Sequence, residues 1–306
     1  MLMKKYRWAI IYGFILTAFT VYISLDTFVL SNAYQENATQ MNTSIFEAMG
    51  TETAQPLVTP SATTISDSSA YRDDNIQITL TEYYKNDTKI YVADVQLTSA
   101  EYLKAAFAQD TYGKNVTEKT SEIAAAHNAI LAVNGDYYGA RESGYVIRNG
   151  IVYRSTSNGS DILCLYGNGS LEVMSSDEYT AEELVAQGVW QAFCFGPRLV
   201  EDGQVTVSTD QEVGKAMASN PRTAIGMISK GHYVFVVSDG RTSESEGLSL
   251  YELAQFMQSL GVTIAYNLDG GGSSTMYFNG KIINNPTTNG NKIKERGVSD
   301  IVYIGE

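Results

Sequence analysis

Short apolar segments separated by polar turns dominate the chain from residue 76 onward. In residues 89–97 apolar and polar positions alternate, which is typical of a half-buried strand. Residues 129–133 and 233–237 are instead continuously apolar, as in strands covered on both faces. The pattern therefore predicts many short strands, several of them buried.

Three segments have helical signals. Residues 120–128 carry an alanine-rich face. Thr180 with Glu183 and Ser249 with Glu252 have the spacing of a capping box, in which the two residues satisfy each other's backbone donors at a helix start. These boxes predict helices over residues 180–187 and 249–260.

Tight turns join most of the predicted strands. Asn149-Gly150 and Asn279-Gly280 each sit between two apolar runs and predict two-residue hairpins. Because strands outnumber helices and hairpins predominate, we expect an α+β fold with a mixed, largely antiparallel sheet and a few packed helices. Residues 76–306 are predicted to form one domain.

The N-terminus has the pattern of a membrane segment. Lys4, Lys5 and Arg7 precede an apolar run over residues 8–25. That run is long enough to cross a bilayer as a helix, and its flanking positive charges favour a cytoplasmic N-terminus. We therefore expect residues 1–30 to be a cytoplasmic tip and transmembrane signal anchor, with the domain extracellular on a single-pass cell-membrane protein. The alternative is a signal peptide cleaved near residues 31–33, which would release the protein.

Residues 31–75 are rich in Ser, Thr, Ala, Gln and Asn and contain Pro56 and Pro60. They show no sustained helical or strand period, so they are interpreted as a flexible extracytoplasmic linker, with a short helix around residues 44–49.

Charge and composition restrict the partners. A net charge of −13 disfavours nucleic acid, whose binding requires clustered Lys and Arg. Two cysteines, Cys164 and Cys194, are too few for a disulfide scaffold, and two histidines without a Cys-x-x-Cys motif disfavour a zinc site. No cofactor and no metal site is predicted; a divalent cation near the acids is compatible with the sequence but not demanded by it.

The most unusual stretch follows an apolar run at residues 262–265. It reads Asn267-Leu-Asp-Gly-Gly-Gly-Ser-Ser, with Asp269 at a strand end followed by Gly270, Gly271, Gly272, Ser273 and Ser274. Glycines let a ligand approach the backbone, and exposed N–H groups in such a turn can bind an anion. The alternative is a glycine-rich bend between two strands.

Similar chemistry recurs where other predicted strands begin or end. The residues are Asn134, Asp136, Arg198, Arg222, Asp239 and Arg241. A single charged strand end is usually only solvated, but acids and arginines recurring beside glycine are typical of a cleft formed by strand ends and loops. Carboxylates with arginines suit an anionic sugar, since guanidinium groups bind phosphate in a bidentate manner and carboxylates serve glycosyl transfer.

Five motifs in order resemble one known family. They are Asn134-Gly-Asp-Tyr-Tyr-Gly, Phe195-Gly-Pro-Arg-Leu-Val, Asn220-Pro-Arg-Thr-Ala-Ile-Gly, Asp239-Gly-Arg and Asn267-Leu-Asp-Gly-Gly-Gly-Ser-Ser. This order is similar to that of the phosphodiester glycosidase domain, the family of the lysosomal "uncovering" enzyme N-acetylglucosamine-1-phosphodiester α-N-acetylglucosaminidase. Bacterial members are often labelled exopolysaccharide-biosynthesis proteins.

The resemblance implies hydrolysis of a sugar-1-phosphodiester at its glycosidic bond, here in a cell-surface glycan or teichoic-acid-like polymer. Asp136 and Asp269 are the expected catalytic acids. The expected substrate-binding residues are Asn134, Arg198, Arg222, Asp239, Arg241, Asn267, Gly270, Gly271, Gly272, Ser273 and Ser274. Two alternatives stay open: a non-catalytic cell-wall or glycan-binding module, and a metal-dependent phosphodiesterase.

Overall fold

Antiparallel sheets make up most of the structure, a computed structural model that describes residues 7–30, 32–33, 46, 63–64, 69–212, 219–288 and 292–306. Every pairing among the described strands is antiparallel. The helices are α1 Arg7–Phe28, α2 Thr120–Ala126, α3 Ala181–Ala186 and α4 Leu250–Ser259. The predicted α+β class is confirmed, with hairpins as its main connection.

The strands are, in chain order, β1 Asn32–Ala33, β2 Thr63–Thr64, β3 Ser69–Arg72, β4 Ile76–Lys85, β5 Thr88–Leu97, β6 Leu103–Phe107, β7 Gly113–Lys114, β8 Glu118–Lys119, β9 Leu131–Asn134, β10 Val146–Arg148, β11 Ile151–Arg154 and β12 Asp161–Tyr166. They continue with β13 Leu171–Ser175, β14 Val189–Phe193, β15 Arg198–Glu201, β16 Gln204–Val205, β17 Arg222–Ser229, β18 His232–Ser238, β19 Ile264–Asn267, β20 Met276–Phe278, β21 Lys281–Ile282, β22 Gly297–Val298 and β23 Asp300–Ile304.

The largest sheet has the order β16-β15-β19-β17-β18-β5-β4-β2, with β3 also paired to β4. A second sheet has the order β21-β20-β9-β23-β6, and a third the order β11-β10-β14-β12-β13. The pairing β17–β19 places Ala224 opposite Asn267, so the end of β19 lies beside the start of β17. In the second sheet Met276 pairs with Val133, and Ile301 pairs with Asn134. The chain between β19 and β20 therefore crosses from the largest sheet to the second.

Helix α4 shows how the sequence selects its packing. Ser249 and Glu252 form the predicted capping box, in which Ser249 Oγ accepts from Glu252 N at 3.1 Å. The helix buries Leu250, Leu253 and Phe256 against the largest sheet. Complete burial of one such side chain contributes about 2 kcal/mol. Leu253→Ala would therefore remove both burial and packing, at a cost of about 3 kcal/mol.

The segment predicted as a linker makes several contacts with the domain. Asn32–Ala33 pairs with β7, and both Thr63–Thr64 and Ser69–Arg72 pair with β4. Phe46 lies edge-on to Trp190, with ring centroids 4.8 Å apart. Short edge strands of this kind need no alternating sequence pattern when a long strand such as β4 pairs with them. Apart from Phe46, the helix predicted around residues 44–49 lies outside the described residues.

Helix α1 contains the whole N-terminal apolar run, residues 8–25. Its span over Arg7–Thr27 is apolar and long enough to cross a membrane, and none of it is buried against the domain. Those properties suit a membrane anchor and a signal sequence equally. Cys164 and Cys194 are both buried and both unpaired.

Candidate active site

The loop that crosses between the two sheets, residues 269–275, is called the glycine loop below. Asn134 fixes its first residue, since Asn134 Nδ2 donates to Asp269 O at 2.7 Å. Asn134 Oδ1 accepts from Thr223 Oγ1 at 2.8 Å, so one side chain ties the loop to β17 as well as to β9. Because Asn134 is completely buried, its predicted contact with substrate is not supported; it positions the loop.

Glycine is required at two points of this loop. Gly271 has φ of +61° and donates its N–H to Pro221 O at 2.8 Å. A methyl group at Gly271 would lie 2.9 Å from Arg241 Nη2, and one at Gly272 would lie 2.7 Å from Thr288 Oγ1. Side chains there would displace the neighbouring loops, so the glycines allow polar groups to approach the backbone closely.

Asp269 lies at the centre of a cluster of polar side chains beside the glycine loop. Its Oδ2 accepts from Ser273 Oγ at 2.5 Å and from Arg296 Nη2 at 2.9 Å. Arg296 Nε also donates to Ser273 Oγ at 3.1 Å, which closes a three-residue network. Burial raises the pKa of Asp269, while Arg296 and Ser273 lower it. The side chain keeps 14% of its surface exposed, so this carboxylate is accessible to a ligand.

Two guanidinium groups lie beside the glycine loop and reach solvent. Arg296 has 39% of its side chain exposed. Arg241 is exposed, and it donates from Nη2 to Asn220 Oδ1 at 2.8 Å and from Nη1 to Thr288 O at 2.6 Å. Burial lowers the pKa of Arg241, and the nearby positive charge of Arg296 lowers it further. An anion bound between them would relieve this repulsion.

Arg222 lies behind the loop rather than at its surface. Its Nε donates to Leu248 O at 2.8 Å, and its Nη2 forms a salt bridge of 2.6 Å with Glu212. Its side chain is only 4% exposed. A methyl group at Gly270 would lie 3.9 Å from Arg222 Cδ, so Arg222 supports the loop from below. To bind a phosphate, Arg222 would first have to break its salt bridge with Glu212.

Asp239 joins two loops at the edge of the group. Its Oδ1 accepts from Asn285 N at 2.8 Å and from Asn284 Nδ2 at 3.2 Å, and its Oδ2 accepts from Tyr91 OH at 3.2 Å. Asn284 Nδ2 also donates to Ser274 O at 3.0 Å. Burial raises the pKa of Asp239, and these hydrogen bonds oppose that rise. Asp239 therefore holds these two loops together.

The second predicted catalytic acid has a different environment. Asp136 Oδ1 accepts from Tyr138 N at 3.1 Å, and its Oδ2 accepts from Cys194 N at 2.9 Å and contacts Arg148 Nη2 at 3.1 Å. Arg148 also bonds Asp300 Oδ2 from Nε at 2.7 Å. The side chain of Asp136 has no exposed surface. The predicted catalytic acid Asp136 therefore lies enclosed in an ionic cluster rather than at the surface beside the glycine loop.

The structure does not bring Arg198 to the glycine loop. Its Nη2 donates to Val173 O at 2.8 Å, and its Nη1 pairs with Glu201. The predicted substrate contact of Arg198 is therefore not supported. Asn267 is closer to the loop in sequence, but its Nδ2 donates to Gly196 O at 2.7 Å and its side chain is buried, so it too acts on the backbone.

Some buried polar atoms near the loop have no hydrogen-bond partner within the described residues. They are Asn267 Oδ1, Ser274 Oγ and Thr275 Oγ1. Most buried polar atoms in folded proteins are paired, and exceptions occur often at functional sites. Their position therefore adds to the reasons for placing the site at this loop.

A metal centre has no obvious ligand set here. In the part of the chain that the structure describes, no group of three or more His, Cys, Asp or Glu side chains is arranged to hold a metal ion. Of the two acids near which the sequence allowed a divalent cation, Asp136 is paired with Arg148 and Asp269 with Arg296.

Comparison with known proteins identifies the family. A model of the phosphodiester glycosidase family matches residues 127–305, more than half of the chain. The chain belongs to the phosphodiester glycosidase family. The described residues of the site, from Asn134 to Arg296, all lie within the matched segment apart from Tyr91, which contacts Asp239.

One relative is the SPbeta prophage-derived uncharacterized protein YomE of Bacillus subtilis strain 168. It is 28% identical over 238 residues, and the match covers 69% of this chain and 37% of YomE. Human N-acetylglucosamine-1-phosphodiester α-N-acetylglucosaminidase is 46% identical over 66 residues, covering 22% of this chain and 13% of the human protein. The chain thus spans well under two thirds of the length of these relatives.

The fold is shared with solved structures. The catalytic domain of zebrafish N-acetylglucosamine-1-phosphodiester α-N-acetylglucosaminidase, auto-inhibited by its pro-peptide, superposes with a TM-score of 0.60 at 18% identity, covering 92% of this chain and 99% of that one. A hypothetical protein from Synechocystis superposes with a TM-score of 0.59 at 14% identity, covering 78% of this chain and 64% of that one. At such identities the likeness shows the fold alone.

Sequence reasoning missed several residues of this phosphodiester glycosidase domain. Arg296 lies in a loop with no strand-end signal; the only available clue was an arginine next to a glycine, in Glu295-Arg296-Gly297. Asn284 has a similar position at the start of that loop. Arg148 and Asp300 lie on strands β10 and β23, where a charged residue ordinarily faces solvent.

Proposed function

We propose that this chain is a hydrolase that cleaves the glycosidic bond of a sugar-1-phosphodiester. The observation that carries the proposal is the grouping of one accessible carboxylate, Asp269, with two exposed guanidinium groups, Arg241 and Arg296, around a glycine turn. Membership of the phosphodiester glycosidase family supports the reaction class. The relatives named N-acetylglucosamine-1-phosphodiester α-N-acetylglucosaminidase make an N-acetylglucosamine phosphodiester the first substrate to test.

The leaving group explains why one accessible acid suffices. When the bond between the anomeric carbon and the phosphate oxygen breaks, a phosphate monoester departs, whose second pKa is about 6. Such a group leaves as an anion without a strong general acid. Arg241 and Arg296 would neutralise the charge that develops on it, which is the usual electrostatic contribution of a guanidinium clamp.

Asp269 would act on the sugar side. A water molecule attacks the anomeric carbon, its proton passes to the Asp269 carboxylate, and the C–O bond to phosphate breaks. The products are a free sugar and the phosphate monoester of the remaining alcohol. Arg296 and Ser273 hold the carboxylate in one orientation through the contacts described above. In this proposal no step needs a metal ion.

The location of the proposed activity is outside the cell, on a cell-surface glycan or teichoic-acid-like polymer. The support is the exposed apolar helix α1 together with the basic residues that precede it, which favour a single-pass protein with a cytoplasmic N-terminus. Protease treatment of intact cells tests this part: an extracellular domain is digested, whereas an internal one is protected.

Product analysis tests the chemistry. The full chain in detergent is incubated with an N-acetylglucosamine-1-phosphodiester in ¹⁸O-labelled water, with and without EDTA. We expect free reducing sugar carrying the label, unlabelled phosphate monoester and no effect of EDTA. Sugar phosphate as product, lost on chelation, would indicate a metal-dependent phosphodiesterase. Saturable binding without any product would indicate a glycan-binding module.

A further inference from the structure

A cavity of about 240 Å³ is lined in part by Asn285, whose neighbour Asn284 donates to Ser274 O of the glycine loop. Its lining includes two lysines, one buried acid and several small polar side chains. The residues used below are Lys89, Asp239, Thr242, Glu244, Asn285 and Lys292. None of these except Asp239 was predicted as a site residue.

The cavity and the candidate active site are built from the same two loops. The loop after β18 supplies Arg241 to the glycine loop and Thr242 to the cavity. The loop after β21 supplies Arg296 to Asp269 and Lys292 to the cavity. Asp239 joins these loops through Asn285 N at 2.8 Å. A ligand in the cavity would therefore lie next to a ligand bound at Asp269.

The distance between the cavity and the candidate active site suits two neighbouring phosphates of one ligand. Asp239 lines the cavity and Arg241 follows two residues later, so their Cα atoms lie at most about 7 Å apart. A short polyol can span a comparable distance between two phosphates. The volume is below the range of pockets that enclose whole drug-sized ligands, so the cavity suits one charged group and its linking atoms.

The cavity lining carries two lysines and two acids, and these four charged groups differ in how they are already paired. Lys89 is half-buried and Lys292 is exposed, and within the described residues neither ammonium has a carboxylate within 4 Å. Asp239 is already engaged by four hydrogen bonds at the cavity floor. Glu244 is the other acid of the lining, and it is exposed to solvent.

We propose that this cavity is a second anion subsite, which binds the next phosphate of a substrate with repeated phosphodiesters. The inference rests on the proposed function and narrows its substrate class to polyanionic polymers. Lys89 and Lys292 would contact the second phosphate, while Arg241 and Arg296 contact the phosphate at the scissile bond.

Two matched substrates test the proposal. One is N-acetylglucosamine-1-phosphoglycerol, and the other is the same compound extended by one glycerol phosphate. For the full chain we expect kcat/KM to be about 10- to 100-fold higher for the two-phosphate compound, through a lower KM, since charge-assisted contacts contribute affinity. The double variant Lys89→Gln/Lys292→Gln should lose this preference and leave the one-phosphate reaction within about two-fold of the original. The preference should also fall with added salt.

Lys230→Gln/Lys281→Gln is the matched control, because it removes the same charge from two exposed positions outside the cavity lining, in the β17–β18 turn and at the start of β21. It should retain the preference. Equal kcat/KM for the two substrates in the original chain would overturn the inference, and so would an equal loss on both substrates in the Lys89/Lys292 variant.

Calorimetric binding separates this inference from the proposed function. Asp269→Asn is titrated with each compound, so that no turnover is needed. Tighter binding of the two-phosphate compound, lost on adding Lys89→Gln/Lys292→Gln, supports the second subsite even if neither compound is hydrolysed. Equal affinity for the two compounds overturns it.

Discussion

Asp136 and Asp269 have the same local sequence pattern and opposite environments. Each follows a buried strand and adjoins a glycine. Asp136 is enclosed with Arg148 and Asp300 and has no exposed side-chain surface, whereas Asp269 is bonded to a partly exposed arginine and keeps part of its surface in solvent. A strand-end acid therefore indicates a special environment, but only the three-dimensional contacts tell a buried ionic cluster from an accessible site.

The contrast also separates two kinds of arginine. Arg148 is fully buried, lies 4.0 Å above the Phe193 ring and joins two acids from different elements. Arg296 holds one acid and reaches solvent. Removing a partner from the first cluster leaves an uncompensated buried charge, which costs stability. Removing a partner from the second mainly removes a group that substrate can contact.

The largest expected effect is the loss of turnover in Asp269→Asn. Without a carboxylate no group accepts the proton of the attacking water, so kcat should fall by about 10³-fold or more. The urea midpoint should change little, because Asn keeps the volume and one acceptor. Reducing-sugar release and urea unfolding measure the two quantities. Asp202→Asn, in an exposed turn where Asn tolerates the φ of +47°, is the matched control and should be fully active; full activity in Asp269→Asn would reject the assignment.

A smaller loss of activity is expected for Arg296→Gln. Glutamine cannot neutralise the departing phosphate, so kcat/KM should fall by about 10- to 100-fold. Arg198→Gln is the control: it removes the same charge from an arginine that pairs with Glu201, and it should stay within about two-fold of the original. Steady-state kinetics on one sugar-1-phosphodiester suffice. Equal losses in both variants would mean that the effect is one of overall charge.

Asp136→Asn should act on stability rather than on chemistry. The amide cannot accept from both Tyr138 N and Cys194 N as the carboxylate does, and Arg148 loses one of its two carboxyl partners. We expect a loss of about 2 kcal/mol, read from urea unfolding. Activity per folded molecule should stay above about a tenth of the original. If turnover vanished while the urea midpoint stayed unchanged, Asp136 would be catalytic as the sequence predicted.

Local signals in the sequence predicted local structure well. The hairpins at Asn149-Gly150 and Asn279-Gly280 and the capping boxes at Thr180 and Ser249 all form, because their chemistry is complete within four residues. Strand β6 was not predicted, since Leu103-Lys-Ala-Ala-Phe has no clear alternation and is set by its pairing with β23.

The site was predictable only in part, because several of its residues lie far apart along the chain. Glycines and an acid mark the loop at Asp269, but the partner Arg296 lies 27 residues further along the chain and meets it only through tertiary folding. In the same way, Arg148 and Asp300 are 152 residues apart. Patterns along the sequence cannot show which charges a fold brings together, nor that Arg198 turns towards Glu201.

The last expected effect concerns the pH dependence of stability and again compares the two regions. Burial raises the pKa of Asp300 to about 7, although Arg148 lowers it, so the folded protein binds a proton that the unfolded chain releases near pH 4. Between these values the folded state holds more protons than the unfolded state, and the free energy of unfolding must therefore decrease as pH rises, by at most about 1.4 kcal/mol per pH unit from this group. Asp300→Asn removes this titrating group, so the urea midpoint should depend less on pH between pH 4.5 and 7.5. Asp269→Asn should reduce the pH dependence of the midpoint less, because Asp269 is partly exposed and paired with Arg296. An unchanged slope in Asp300→Asn would show that the buried cluster keeps its charge throughout this range, and the contrast between an enclosed and an accessible acid would then rest on exposure alone.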